Sequence, residues 1–249
     1  GQISGAGKAA VGATLSYVGL DNTTKVNIST TDFDERTDGG TSVTAEANNT
    51  SDSYNIGAGV SAAGEAAVSG TVVVTQTKGT AGAVMDGAKI NNAKEIIAHA
   101  SDDTDILSVI GTVNIAGKAA VGAGVAYTEI GGVSDDKEKA EQHVTAEIKN
   151  STINSDGADS TVEVKAKDEA RVINVAIGVG GAGNVAVQGA SATTLINKET
   201  SAGINSTNID AGHEDSTKAN VTVDAQNSSE ITSSASTVAV AGSGAGVGA

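Results

Sequence analysis

The sequence predicts an all-β fold, a parallel β-helix (β-solenoid) built from about four repeat units of roughly 60 residues. Three observations predict it. A glycine-centred motif returns at long intervals, the residues around each copy alternate with period two, and glycine with β-branched residues dominates the runs. Both residue classes are poor in helix interiors.

The motif comes first. Ala-Gly-Lys-Ala-Ala-Val at Ala6–Val11 recurs at Ala116–Val121, with Ala-Gly-Glu-Ala-Ala-Val at Ala63–Val68 and Ala-Gly-Asn-Val-Ala-Val at Ala182–Val187. The anchors Gly7, Gly64, Gly117 and Gly183, with Gly246 as a fifth, stand 57, 53, 66 and 63 residues apart. They divide a single segment spanning 1–249 into units 7–63, 64–116, 117–182 and 183–245. A strand of small residues follows each anchor. The larger apolar side chains share one parity there (Ala9, Val11, Ala13, Leu15, Tyr17), and Ile56, Ala58, Val60 and Ala62 keep that parity before Gly64. This parity is predicted to face inward, with the glycine as a corner that turns the chain.

Ile28, Met85 and Ile204 each lie 21 residues past their glycine, and Ile148 lies 31 past. The third unit therefore carries about ten extra residues, predicted to project as a loop near 131–142. Next come Phe33-Asp34, Ile90-Asn91, Ile153-Asn154 and Ile209-Asp210. An alternating run then opens at Val43, Ile96, Val162 and Val221. Ile56, Val109 and Val175 hold equivalent places before the following glycine, whereas the fourth unit has four more residues before Val238. The polar stretches Asn48–Ser53 and Ser101–Asp105 read as turns. At two or three coils per unit, roughly nine to twelve coils would make a rod of about 45–60 Å. Both ends fall inside a repeat, so the expectation is a window from a longer array.

Composition narrows the function. With no Cys and no Pro, thiolate-metal scaffolds, disulfide frameworks and proline-rich linkers are excluded. A net charge of −15 argues against binding nucleic acid. The least polar stretch, Ile56–Val74, contains Glu65 and is too weakly hydrophobic for a membrane span.

The Gly-Ala-Gly-Lys-Ala-Ala-Val-Gly-Ala units, the Asn/Ser/Thr-rich stretches and Val-x-Ala-x-Ala resemble giant secreted bacterial exoproteins. These are the leukotoxin-like and filamentous-haemagglutinin-like passengers of autotransporter or two-partner secretion. The likeness covers nearly the whole chain and is one of style, with no active-site motif to carry over. It implies a right-handed β-helical, surface-displayed stalk, held to the outer membrane through other parts of the protein and serving adhesion to host-cell or bacterial receptors. Asn174-Val175-Ala176-Ile177-Gly178 is similar to strands of trimeric-autotransporter heads, but those repeat about every fourteen residues.

Candidate chemistry is sparse. Gly178-x-Gly180-x-x-Gly183 matches the dinucleotide fingerprint, yet Asn184–Gln188 continues as a strand where a helix N-terminus is needed. His99, His143 and His213 share no ligand spacing. Asp32-Phe33-Asp34-Glu35, Asp102-Asp103-x-Asp105 and Asp135-Asp136 read as solvated turns, with weak Ca²⁺ binding as the alternative. Tyr17 and Tyr127, at equivalent places on the inward parity, read as core rather than as platforms for sugar rings. Asn22-Thr23-Thr24 and Asn150-Ser151-Thr152 are acceptor sequences expected from composition alone. No catalytic, cofactor or metal site is predicted. The expected role is a non-enzymatic structural and adhesive stalk, with self-association along the solenoid. A cytotoxin passenger and a polysaccharide-active β-helix enzyme are the alternatives. The loop at 131–142 is the foremost candidate for binding.

Overall fold

In the computed structural model, which describes residues 1–33, 40–132, 141–155, 159–210 and 218–249, the chain is all-β with every strand pairing parallel. Three sheets form a solenoid-like stack. Sheet A joins β1 (Gln2–Ala6), β4 (Thr41–Ala63), β7 (Ala93–Ala116), β11 (Ser160–Ala182) and β15 (Ala219–Ala241). Sheet B contains β2 (Ala9–Ser29), β5 (Ala66–Asp86), β8 (Ala119–Ile130), β9 (Gln142–Lys149), β12 (Val185–Ile196), β13 (Lys198–Asn205) and β16 (Gly246–Gly248). Sheet C is a narrow row of β3 (Asp32–Phe33), β6 (Lys89–Ile90), β10 (Thr152–Asn154) and β14 (Asn208–Asp210).

Successive units pair position for position. Ile28, Met85, Ile148 and Ile204 occupy one row of sheet B, and Phe33, Ile90, Ile153 and Ile209 one row of sheet C. Each unit contributes a single pass through each sheet, not the two or three coils expected. The strands are correspondingly long: the 23 residues of β4 span about 75 Å at ~3.3 Å per residue. The stack is therefore wide and shallow where the sequence suggested a slender rod.

The anchor glycines stack as expected. The amide of Gly64 donates to Ala6 O (3.3 Å), that of Gly117 to Ala63 O (3.2 Å) and that of Gly242 to Ala182 O (2.9 Å). A Cβ on Gly64, Gly117 or Gly183 would collide with the carbonyl oxygen of the glycine one layer below, which explains the residue type. The fifth anchor is Gly242, not Gly246. Val175 pairs with Ser234 and Val179 with Val238, so the fourth unit has no four-residue excess. A second corner uses left-handed backbone at Thr30, Gly87, Asn150 and Ser206 (φ 46, 70, 51 and 49°), between sheets B and C.

The facing parity is reversed near the anchor. Val11, Leu15 and Tyr17 are 72, 75 and 61% exposed, and Ile56 is 67% exposed. Their small neighbours face inward instead, as with Ala10 and Gly12 of β2 and Asn55, Gly57 and Ser61 of β4. The cause is a taper. Sheets A and B meet at the anchor through a two-residue turn, and a Cβ on Gly57 or Gly59 would overlap the side chains of Val73 or Thr71 across the gap. Asn55 and Asn174 bridge the gap by donating to Val74 O (3.0 Å) and Thr193 O (2.8 Å). Farther from the anchor, sheet C holds the long sheets apart, and Met85, Ile90, Ile96, Ile148, Ile153 and Val162 fill the wider space.

The polar runs Asn48–Ser53 and Ser101–Asp105 are not turns. They lie within β4 and β7, with Asn49, Ser51, Ser53 and Asp102 directed inward.

A candidate ligand-binding cleft beside the inserted loop

The extra residues of the third unit leave sheet B between Ile130 and Gln142, which pair with Thr77 and Gly79 of the unbroken strand β5. Eleven positions, 131–141, thus stand opposite Lys78 alone, which is the ten-residue excess read from the sequence. The base closes on itself. Gly131 N donates to Thr77 O (2.7 Å), Glu141 N to Gly131 O (2.9 Å) and Gly79 N to Glu141 O (3.3 Å). Gly131 takes φ +72°, and a Cβ there would strike Asn197 O, so a side chain is excluded twice over. Residues 133–140 lie outside the described residues.

Against this base the outer face of sheet B forms a cleft of about 530 Å³, lined by Tyr17, Gln76, Lys78, Glu129, Gly132 and Glu141 among others. Register builds it: Tyr17, Val74 and Tyr127 form one outward row, and Gly19, Gln76 and Glu129 the next. Tyr17 Oη donates to Gln76 Oε1 (2.8 Å), and Gln76 Nε2 donates to Glu129 Oε2 (2.8 Å). Tyr127 Oη donates to that same oxygen (3.2 Å). Burial first, then the Glu129 carboxylate, pushes the Tyr127 phenol above its ordinary value. Lys78 Nζ lies 3.5 Å from Glu141 Oε2 and 3.6 Å from Asp21 Oδ2, and these carboxylates raise its pKa, Glu141 most.

An exposed aromatic face beside an amide, carboxylates and an ammonium suits a hydroxyl-rich ligand, for which ring contact and several hydrogen bonds act together. The expectation that Tyr17 and Tyr127 are core is overturned: both rings stand on the outer face.

The remaining candidates disperse. His99 Nε2 lies 2.6 Å from Glu163 Oε1 on the outer face of sheet A, where Lys165 Nζ also meets that oxygen (2.7 Å). These contacts hold the Glu163 carboxyl below its usual range, Lys165 contributing most. His143 Nδ1 is 3.4 Å from Glu199 on sheet B, and His213 lies outside the described residues. Asp32 pairs with Lys89 (3.6 Å), while Asp34, Glu35, Asp135 and Asp136 lie outside the described residues. Asp102 points inward and accepts from Thr104 Oγ1 (2.8 Å), whereas Asp103 and Asp105 point outward, so the run is split between two faces. Burial, followed by Asp105, Glu169 and Asp52, raises the Asp103 pKa. Among the described residues no three His, Cys, Asp or Glu side chains converge as a metal site. Gly178 and Gly180 lie inside β11 facing Gln188, Gly183 is the corner, and β12 follows it.

Sequence reasoning missed one buried pair. The side chains of Asp168 and Lys198 are 0 and 2% exposed, and Lys198 Nζ donates to Asp168 Oδ1 (2.8 Å) and Ser228 O (2.9 Å). Burial pushes the Asp168 carboxyl up to about 6 against the pull of the ammonium. Its position was legible, because Asp168 follows Val162, Val164 and Ala166 in the inward alternation. Its partner was not, since Lys198 reaches it from another sheet.

No protein-family model, curated protein or solved structure matches this chain.

Proposed function

We propose that the chain is a structural and adhesive segment of a surface-displayed bacterial exoprotein, a right-handed β-solenoid with one coil per unit that presents a binding surface. The observation that carries this reading is the cleft at the foot of the third-unit insertion, set on an otherwise in-register stack. Right-handedness follows from the strong preference of parallel crossover connections within one sheet. Stacked parallel ladders supply a rigid platform, since each layer contacts mainly its neighbours and carries the next. The acidic outer surface opposes edge-to-edge association. The cleft combines a ring face with hydrogen-bonding groups, so the surface it engages is a carbohydrate coat of host cells or other bacteria. No reacting group is required for this role, and the segment is read as non-enzymatic and secreted.

The test is adhesion of beads coated with the full chain to cultured epithelial cells and to bacterial cells. Deleting 133–140 or substituting Gln76→Ala is expected to lower bead retention about tenfold, roughly the worth of one or two lost hydrogen bonds in a binding site. Retention no higher than that of albumin-coated beads overturns the reading.

A further inference from the structure

The outer faces of the long sheets change character along their strands. On sheet A, consider the outward positions from Tyr54 to Ala62 of β4 and their register partners on β7, β11 and β15. On sheet B, the matching region runs from Ala9 to Tyr17 of β2, with partners on β5, β8 and β12. Five outward positions on each of these eight strands carry no charged side chain, in a chain that is 18% charged. Val, Leu and Ile side chains stand in water there, while most inward positions hold Ser, Thr, Asn, Gln, Gly or Ala. Apart from Ser191 and Thr193 of β12 and Thr232, Ser234 and Ser236 of β15, this half of the stack is apolar outside and mostly small or polar inside, the reverse of an ordinary water-soluble sheet pair.

The band has sharp borders. Lys8, Glu65 and Lys118 close it at the anchor corner. On the other side Asp52, Asp105, Arg171 and Glu230 form one register row of sheet A; on sheet B Glu129 stands in the row just beyond Tyr127, and Asp21 and Lys78 in the outward row after that. All three tyrosines of the chain lie on that second border. The hydroxyls of Tyr17 and Tyr127 bond to Gln76 and Glu129, so the rings lie in the band and the polar ends leave it. From Ala9 to Tyr17 is eight steps, about 26 Å at ~3.3 Å per residue. Membrane-crossing strands bear an apolar band about 25 Å tall, polar on the other face and edged by aromatic girdles.

We infer that the anchor-proximal half of the stack is a lipid-facing band, and that its occupant is the acyl region of a zwitterionic bilayer. A second copy fits less well: laying two faces together also apposes the acidic outer surfaces beyond the band, at −15 per chain. The same charge selects zwitterionic over anionic lipid. In hydrocarbon the outer ladders of β2 and β15 require partner strands. Ile56–Val74, too polar to cross as a helix, is in this arrangement the end of β4 and the start of β5, in facing sheets joined by the corner at Gly64 and Glu65.

The experiment floats the full chain with phosphatidylcholine vesicles through a density gradient, beside Val121→Lys in the band and Glu163→Gln on the charged half. Both positions face outward, so unchanged far-UV circular dichroism is expected for each. Co-flotation of the wild type and of Glu163→Gln, with at least a tenfold loss for Val121→Lys, is the expected result. Wild-type chain that stays at the bottom overturns the proposal, as does flotation indifferent to Val121→Lys. Vesicle-free self-association abolished by Val121→Lys also overturns it, by assigning the band to a second copy. Bead adhesion depends on the cleft and the loop, so the two readings fail separately.

Discussion

Single residues set the layer spacing and the buried charge. Gly117 sits where a Cβ would meet the carbonyl oxygen of Gly64, while a Cβ on Gly111 of β7 would meet nothing within 4 Å. Gly117→Ala is expected to cost about 1–3 kcal/mol, and Gly111→Ala to stay within about 0.5 kcal/mol. Thermal denaturation of the two variants checks the contrast. Asp168 gives a pH dependence of unusual sign. Its folded value of about 6 lies above the ordinary 3.8, so between these values the folded chain keeps a proton that the unfolded chain has lost. Its stabilising contribution is full below pH 3.8 and fades as pH rises through 6, a difference on the order of 2–3 kcal/mol. Denaturant midpoints across pH 4–7 are expected to show this fall in the wild type and to lose it in Asp168→Asn.

At the scale of the element, the reversal of parity has a direct test. Ile110 of β7 is fully buried, and its neighbour Val109 faces outward. Ile110→Ala is expected to cost about 2–5 kcal/mol and Val109→Ala about 0.5 kcal/mol or less. The opposite order is what the sequence reading implied, since it placed Val109 with Ile56 on the inner face. The inserted loop is a second element-scale case. Its base is closed by backbone bonds at Gly131 and Glu141, so removing 133–140 is expected to leave the melting temperature within about 2 °C. A larger drop would mean that the loop packs as part of the stack.

For the whole molecule, the pairing register predicts shape. Four to five layers at ~4.8 Å give a stack about 20 Å high, crossed by strands of about 75 Å. Small-angle scattering of the monomer is expected to report a flattened particle near that width, unchanged by millimolar calcium. A thin rod would contradict the register, and a calcium-dependent shape would make the acidic residues structural. Much of this architecture was legible in the sequence. The rows of Ile28 and Phe33, the stacked anchors and the site of the insertion all follow from spacing, because a solenoid repeats in space what the chain repeats in order.

What the sequence determined by itself was the parallel repeat, its period and the alternation along each strand, since these depend only on neighbours in the chain and on position within a unit. Which of the two parities faces inward was decided by the tertiary structure alone. Apolar size favours burial, but the gap at the anchor corner is narrow: most inward positions there are Gly, Ala, Ser, Thr or a bridging Asn, and Val73 and Ile110 fit inward because they lie against Gly57 and Gly124. The cleft likewise required the fold. Tyr17, Gln76 and Glu129 lie more than 50 residues apart in sequence and meet only because three layers stack in register. Steric room across a sheet pair is a property of the closed coil, and no local pattern encodes it.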